Sequence, residues 1–409
     1  MSSLEIRVDP SSLGFDATRL ARIQTHFDQY VTDGRLAGWL ATVSRGGELA
    51  WTGRAGHRDR EKGLDVTDDT IWRIYSMTKP ITSIAVMMLY EEGLFDLNDD
   101  AGKWIEALRN PRVYVGGPPS KPSTVAATEP VRIHHLLSHT SGLTYGFHYT
   151  HPTDAIYRQK GYDFGYPEGA DLARAVNDWC SSPLVFQPGS GWNYSVATDV
   201  LGRLIEIWSG QPLDVFLHER ILGPLGMNDT TWWCSEDKQD RLAMLYVPHE
   251  GKAVAHESFA KGATRPPQLF GGGGGLLSTA HDYNRFMTML LGGGELDGVR
   301  LVSSRTLEIM TENHLPGDVD LEGFAADSFS EVDFAGIGFG LGFSVVVNRT
   351  LNRSLVSNGT FSWGGAASTA FWVDPVEDLT VSFFTQLLPS STYPIRRDLQ
   401  RLVYQALVD

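Results

Sequence analysis

Ser76-Met77-Thr78-Lys79 sets a hydroxyl and an amine three residues apart, immediately ahead of Pro80 and a long apolar run. That run, Ile81 to Glu92, has the composition of a buried helix, and Gly93 is placed to end it. Proline lacks an N–H and is tolerated only in the first turn, so Pro80 marks where the helix starts. Ser76 therefore lies at the helix N-terminus, beside unpaired amides and the positive end of the dipole, with Lys79 on the same face. Activation of a serine nucleophile needs that combination of hydroxyl, amine and free N–H donors. The pattern is short, however, and Ser235-Glu236-Asp237-Lys238 repeats it. About one or two such matches arise by chance in a chain of this length. The second copy has acidic neighbours and no apolar helix behind it, and reads as a solvated turn.

Other segments hold residues able to do chemistry. Pro188-Gly189-Ser190-Gly191-Trp192-Asn193-Tyr194-Ser195 is a glycine-rich turn that delivers aromatic side chains into an apolar helix beginning near Val196. Tyr194 is either a core tyrosine with its hydroxyl at the surface or a general base. The second role requires a cation such as Lys79 to lower a phenol pKa of about 10. Ile133-His134-His135-Leu136-Leu137-Ser138-His139 invites a zinc hypothesis, because His135 and His139 share a helical face. With no His-Glu-x-x-His and with Thr140-Ser141-Gly142 breaking the helix, a structural helix end is the better reading. Phe270 followed by Gly271 to Gly275 lacks the Lys-Ser/Thr ending of a phosphate loop, and reads as a tight backbone approach or a cleft wall. Trp363-Gly364-Gly365, ahead of a strand at Phe371–Val373, is either a plain turn or an edge where a ligand comes close. No Gly-x-Ser-x-Gly elbow occurs.

The elements that must position these groups are legible in outline. Asp16 caps a helix running to about Val31. Trp39–Arg45, Gly46-Gly47 and Glu48–Gly53 form a hairpin signal. Residues 110–130, polar and rich in Pro and Gly, read as a surface loop. Gly338–Val347 reads as one strand, Ala370–Asp374 and Leu379–Thr385 as two more, and Pro394–Leu407 as a closing helix. The implied architecture is α+β. An antiparallel sheet domain is built from both chain ends (1–75 and 260–409), a mainly helical domain spans 76–259, and the site lies in the cleft between them.

Composition narrows the partners. The chain has 409 residues, enough for a large core, and a formal charge of −15, which argues against nucleic acid or an anionic membrane surface. Two cysteines, Cys180 and Cys234, fit buried thiols in a reducing compartment. The N-terminus lacks a signal-peptide pattern, and no apolar stretch is long enough to span a bilayer. The expectation is a soluble, cytoplasmic protein.

Taken together, the segments resemble the serine β-lactamase and penicillin-recognising superfamily. Within it they are most similar to the family VIII carboxylesterases, which look like class C β-lactamases, with acyltransferases of the lovastatin-synthesis type as relatives. Three motifs stand in the family's order: Ser76-Met77-Thr78-Lys79, Tyr194-Ser195-Val196 and Trp363-Gly364-Gly365. His135-Leu136-Leu137-Ser138-His139-Thr140-Ser141-Gly142-Leu143 is a further signature, and the resemblance extends from about residue 15 to 407. It implies a β-lactamase/transpeptidase-like fold, Ser76 as the acylated nucleophile, and Lys79 with Tyr194 as the proton-handling pair. It also implies an oxyanion hole from the Ser76 and Ala366 amides, substrate contacts at Trp363, Gly364 and Gly365, and no metal or cofactor.

Two departures shift the expected substrate. The family's antibiotic-directed members carry Asn where this chain has Val196, and Lys where it has Trp363. Without that cation and that amide the resemblance points to neutral carboxylic esters of short to medium acyl length rather than β-lactams. An acyltransferase, an amide hydrolase or weak β-lactamase, and an inactive binding module remain the competing readings.

Overall fold

The computed structural model describes residues 4–325 and 334–408. Helix α1 (Ala17–Thr32) starts where Asp16 caps it, its carboxylate accepting the Arg19 N–H at 2.9 Å. Strands β1 (Gly38–Arg45) and β2 (Glu48–Asp59) follow as the expected hairpin, Arg45 pairing with Glu48. Gly46 and Gly47 between them both take positive φ, the conformation that matches the twist of a two-residue hairpin loop. A short β3 (Leu64–Asp65) completes the N-terminal contribution.

The chain then leaves the sheet through α2 (Thr78–Glu91), a run of short helices, α3 (Ala197–Ser209) and α4 (Ala280–Leu291). It returns as β4 (Ile337–Phe339), β5 (Ser344–Val346), β6 (Phe361–Gly364), β7 (Ala370–Asp374) and β8 (Leu379–Phe384), and closes on α5 (Ile395–Tyr404). The eight strands form one antiparallel sheet in the order β4-β5-β6-β7-β8-β1-β2-β3, so strands from the two ends of the chain meet at the β8–β1 pair.

Both faces of this sheet are covered, and the sequence of β8 shows how. Successive strand residues point to opposite faces. Phe383 stacks on Trp39 and packs 4.7 Å from Phe27 of α1, whereas Phe384 faces Tyr283 of α4. β1 and β8 are buried along almost their whole length, and the small polar residues on one face, Thr42, Ser44, Thr380 and Ser382, pair across the two strands, with Thr42 Oγ1 2.6 Å from Ser382 Oγ. Helix α2 is buried almost all round, from Thr78 to Leu89, and packs against α3 as the central helix of the molecule.

Two sequence readings are corrected. Gly338–Val347 is not one strand but the hairpin β4–β5. Gly342 takes φ 100° and the Gly340 N–H donates to the Phe343 carbonyl, so the glycines that looked like strand residues make the turn. Residues 110–130 contain a two-stranded ladder, Arg112–Gly116 against Ser123–Ala126, with the prolines and glycines at its tip. Among the described residues no helix is long and apolar enough to cross a membrane.

Candidate active site

Ser76 sits in a single 3-10 turn, Tyr75–Met77, that runs directly into α2. Pro80 falls in the first turn of α2, where its missing N–H costs nothing. The turn is laced in place from several directions. Trp72 and Arg73 pair with Ser278 and Leu277, the Leu276 N–H donates to Thr78 Oγ1, and the Tyr283 hydroxyl donates to the Met77 carbonyl at 3.0 Å. Buried Arg73 donates to the carbonyls of Ala243 and Ala260, both at 2.6 Å. This tethering holds Tyr75 at φ 43°, a left-handed conformation that a bulky side chain adopts only under constraint.

Lys79 is buried, and its ammonium meets two neutral acceptors and an aromatic face. Nζ donates to the Gly273 carbonyl at 2.7 Å and to the Tyr145 hydroxyl at 3.0 Å, and lies 4.3 Å from the centroid of the Tyr194 ring. A desolvated cation over an aromatic face gains ~2 kcal/mol, which offsets part of the cost of burial. Gly273 also turns its N–H to Asp199 Oδ1 at 3.0 Å. This one residue, through the two peptides that flank its Cα, thus joins a buried carboxylate and a buried ammonium. Burial raises the Asp199 pKa above the ordinary carboxylate value, and the Lys79 charge opposes that rise. Gly273 has to be glycine here, since a Cβ would lie 2.5 Å from Asp199 Oδ2 and 3.0 Å from the Tyr145 hydroxyl. The glycine run is therefore a tight backbone approach, and Thr82 of α2 clasps it through the Gly272 carbonyl at 2.8 Å.

Tyr194 is buried ahead of α3, among His139, Tyr145 and Trp363, at ring separations of 5.1, 5.5 and 5.4 Å. His139 takes φ 56° and sets Nδ1 3.1 Å from Ser195 Oγ, next to Tyr194 in the chain. Burial, reinforced by the Lys79 charge, holds His139 well below the usual imidazole range, so it is a neutral wall. His135 is engaged elsewhere, where its Nδ1 accepts the Arg132 N–H at the start of the short helix Ile133–Leu137. The two histidines expected to share a helical face thus diverge in space.

Trp363 and Gly364 end β6, and Gly365 follows. Trp363 is buried, packed edge-on to Phe339 and against Tyr194, so it forms the backing of Tyr194. A Cβ on Gly365 would overlap the Ile74 carbonyl, which shows how closely the end of β6 is pressed against the segment leading to Ser76. Outside the helices and strands, no backbone hydrogen bond from the Ser76 or Ala366 amide occurs among the described residues.

Sequence reading missed Tyr145 and Asp199. Asp199 carried a faint signal, as a lone acid inside an apolar helix, but at the first turn it passes for a dipole-compensating residue. Tyr145 carried none; only folding brings it to Lys79.

With this geometry in view, likeness to known proteins has structural content. The family model described as Beta-lactamase matches residues 23–405. Esterase EstB of Burkholderia gladioli is 31% identical over 396 residues, covering 92% of this chain and 93% of that protein. ML-236A carboxylate methylbutanoyltransferase of Penicillium citrinum is 25% identical over 426 residues, covering 98% and 97%. The solved structure of "EstCE1, a hydrolase with promiscuous acyltransferase activity" superposes with a TM-score of 0.81 at 24% identity, over 97% of this chain and 99% of that one. Its likeness establishes the β-lactamase/transpeptidase-like fold. The family match, the coverage by the esterase relative and the shared architecture lead to one assignment: the chain belongs to the β-lactamase family of serine hydrolases.

Proposed function

We propose that this protein is a carboxylesterase of the family VIII type, acting on neutral esters through an acyl-enzyme on Ser76. The observation that carries the reading is the setting of Lys79: a buried ammonium held on the Gly273 carbonyl and the Tyr145 hydroxyl, with the Tyr194 ring 4.3 Å away. An ammonium beside a phenol favours its ionised form, so Tyr194 can accept the Ser76 Oγ proton. Ser76 Oγ then bonds to the ester carbonyl carbon, and the Ser76 and Ala366 amides receive the oxyanion. The carbon–oxygen ester bond breaks, and the proton passes from Tyr194 to the departing alkoxide. Water repeats the sequence against the acyl-enzyme, giving its proton to Tyr194 and releasing the acid and the Ser76 hydroxyl. In this reading Gly364 and Gly365 contact the substrate at the end of β6, and Trp363 supports it from behind Tyr194. With Val196 and Trp363 the site offers no cation to a substrate carboxylate at these two positions, which supports a neutral ester.

The esterase relative supports hydrolysis, and the methylbutanoyltransferase relative supports a second outcome in which an alcohol replaces water as acceptor. The test is turnover of short-chain nitrophenyl esters by the wild type and by Ser76→Ala, with intact-mass detection of a fluorophosphonate adduct. Normal turnover by Ser76→Ala sinks the reading. Product analysis with added alcohol separates transfer from hydrolysis, and one cephalosporin in the panel reports any β-lactamase activity.

A further inference from the structure

We propose that a ladder of stacked aromatic rings, Tyr145, Phe147 and Phe164 with Phe259 closing its outer end, binds the alcohol half of the substrate and selects an aryl or fused-ring group there. The proposal rests on the ester reading above and adds the substrate class to it.

The ladder starts at the proton-handling groups. Tyr145, whose hydroxyl accepts from Lys79, stacks on Phe147 at 4.6 Å and 19°. Phe147 stacks in turn on Phe164 at 5.4 Å and 11°. Two successive near-parallel stacks make a column of rings leading outward from Lys79, each face set against the next, with Phe164 as the exposed end ring. At the outer end Phe164 is 62% exposed and Phe259 44% exposed, and the two rings meet edge to face at 6.4 Å. They come from separate parts of the chain, Phe164 from a loop after the helix Pro152–Gln159 and Phe259 from the short helix Glu257–Ala260. Large apolar side chains left in water together, continuous with a candidate active site, mark a ligand surface.

The Phe259 segment also reaches the other side of the site. Ala260 accepts from buried Arg73 through its carbonyl and packs with Leu245 and Ala367, against which Tyr75 lies. The segment thus runs from the end of the ladder to the neighbours of Ser76 and Ala366, closing a path between them. Chemistry decides which half of an ester follows that path. The departing alkoxide must take a proton from Tyr194, whose ring lies 5.5 Å from Tyr145, so the alcohol oxygen sits at the foot of the ladder and its substituent extends along it. A flat π group can extend the column at its exposed end ring, Phe164, in offset-stacked geometry, which a saturated ring of equal size cannot do.

The experiment compares two acetates of matched ring size, 2-naphthylmethyl acetate and decahydro-2-naphthylmethyl acetate, with methyl 2-naphthylacetate and methyl decahydro-2-naphthylacetate as a second pair carrying the ring on the acyl side. The wild type should favour the naphthylmethyl ester by about tenfold in kcat/KM, with no such preference in the acyl-side pair. Phe164→Leu and Phe259→Leu keep the apolar bulk but lose the ring face, and together should bring the ratio close to one. Equal rates for the two acetates, a preference that follows the acyl side, or a ratio that survives both substitutions overturns the proposal. Equilibrium dialysis of 2-naphthylmethanol against decahydro-2-naphthylmethanol gives a readout independent of turnover. If the wild type cleaves no ester, the ester reading fails, while preferential naphthylmethanol binding lost in the Leu variants still supports an aromatic subsite and equal binding ends it.

Discussion

The same Ser-x-x-Lys pattern stands at Ser76, Ser235 and Ser258 in this molecule, and between the first two of these copies the surroundings differ in every respect that matters for chemistry. Ser76 and Lys79 are buried, and Lys79 is held by a hydroxyl, a peptide carbonyl and an aromatic face. Ser235 caps a solvent-facing 3-10 helix, Glu236–Arg241, and Lys238 donates to the Asp229 carboxylate at 2.7 Å. An ammonium paired directly with a carboxylate is neutralised where it stands, and water screens the rest. An ammonium held by neutral groups in a dry site keeps its field, and that field can shift the proton affinity of a neighbouring phenol. Spacing alone is therefore not a catalytic signal; what surrounds the amine is.

The sharpest way to break this contrast is to mutate both copies alike. Ser76→Ala and Lys79→Ala should each lower kcat/KM on a neutral ester by about a thousandfold or more, since a nucleophile and its proton partner act as a unit. Ser235→Ala and Lys238→Ala should leave it within about twofold. Steady-state kinetics of the four variants, with melting temperatures to exclude unfolding, decide it. Comparable losses at both copies would end the distinction.

Asp199 offers a finer cut, because the exposed copy has no counterpart to the peptide bridge at Gly273. Lys79 lowers the Asp199 pKa against the rise caused by burial, and by reciprocity Asp199 must favour the charged form of Lys79. Asp199→Asn keeps the shape and removes the charge. The expected result is a loss of about tenfold in kcat and a pH–rate profile displaced to lower pH, because Lys79 then gives up its proton more readily. A purely structural role would lower the rate without moving the profile.

How far the sequence reached follows the same division between local and tertiary causes. Pro80 placed the start of α2, Asp16 capped α1, and Gly46-Gly47 set the β1–β2 hairpin, because each acts through the backbone of its own few residues. Gly338–Val347 misled for the converse reason: in an apolar stretch, glycines that make a turn look like glycines inside a strand. Ser76, Lys79 and Tyr194 could be singled out, with Lys79 expected beside Tyr194, but the acceptors that hold Lys79 could not. The Gly273 carbonyl lies 194 positions from Lys79 and the Tyr145 hydroxyl 66, separations over which no spacing rule operates. The glycine run at 271–275 was visible as a tight approach, yet what it approached, Asp199, Thr82 and Lys79, came only from the fold.

The two regions should also part company in acid. Burial, with Asp154 opposing and Lys79 assisting, lowers the His148 pKa to about 4. Between its ordinary value of about 6.5 and 4 the unfolded chain binds a proton at this residue that the folded chain refuses, so stability falls as pH drops through that window. The slope is about 1.4 kcal/mol per pH unit for a fully buried group. Asp199 runs the other way, since its raised pKa lets the folded state hold a proton that the unfolded carboxylate has lost. His148→Gln should therefore flatten the decline in melting temperature between pH 6.5 and 4, and Asp199→Asn should steepen it. An unchanged decline in His148→Gln would mean that the acid sensitivity arises elsewhere.

At the exposed copy the corresponding limb lies lower and is smaller. Burial pushes the Asp229 pKa up, but hydrogen bonds from Arg241 and Lys238 outweigh it and hold the carboxyl below its ordinary range. The unfolded chain then takes up a proton at Asp229 before the folded chain does. The contribution is complete above about pH 4 and is lost as pH falls through the lowered value. Lys238 is one of two partners, for Arg241 meets both Asp229 oxygens, at 3.1 and 2.6 Å. Lys238→Ala leaves that fork in place, and with the lysine side chain one-third exposed the loss at neutral pH should be within about 1 kcal/mol. Chemical denaturation at pH 7 and pH 3.5 measures it, with a smaller difference expected at pH 3.5. A loss of several kcal/mol at pH 7 would show that Lys238 is as deeply embedded in its surroundings as Lys79, and the contrast between the two copies would then rest on catalysis alone.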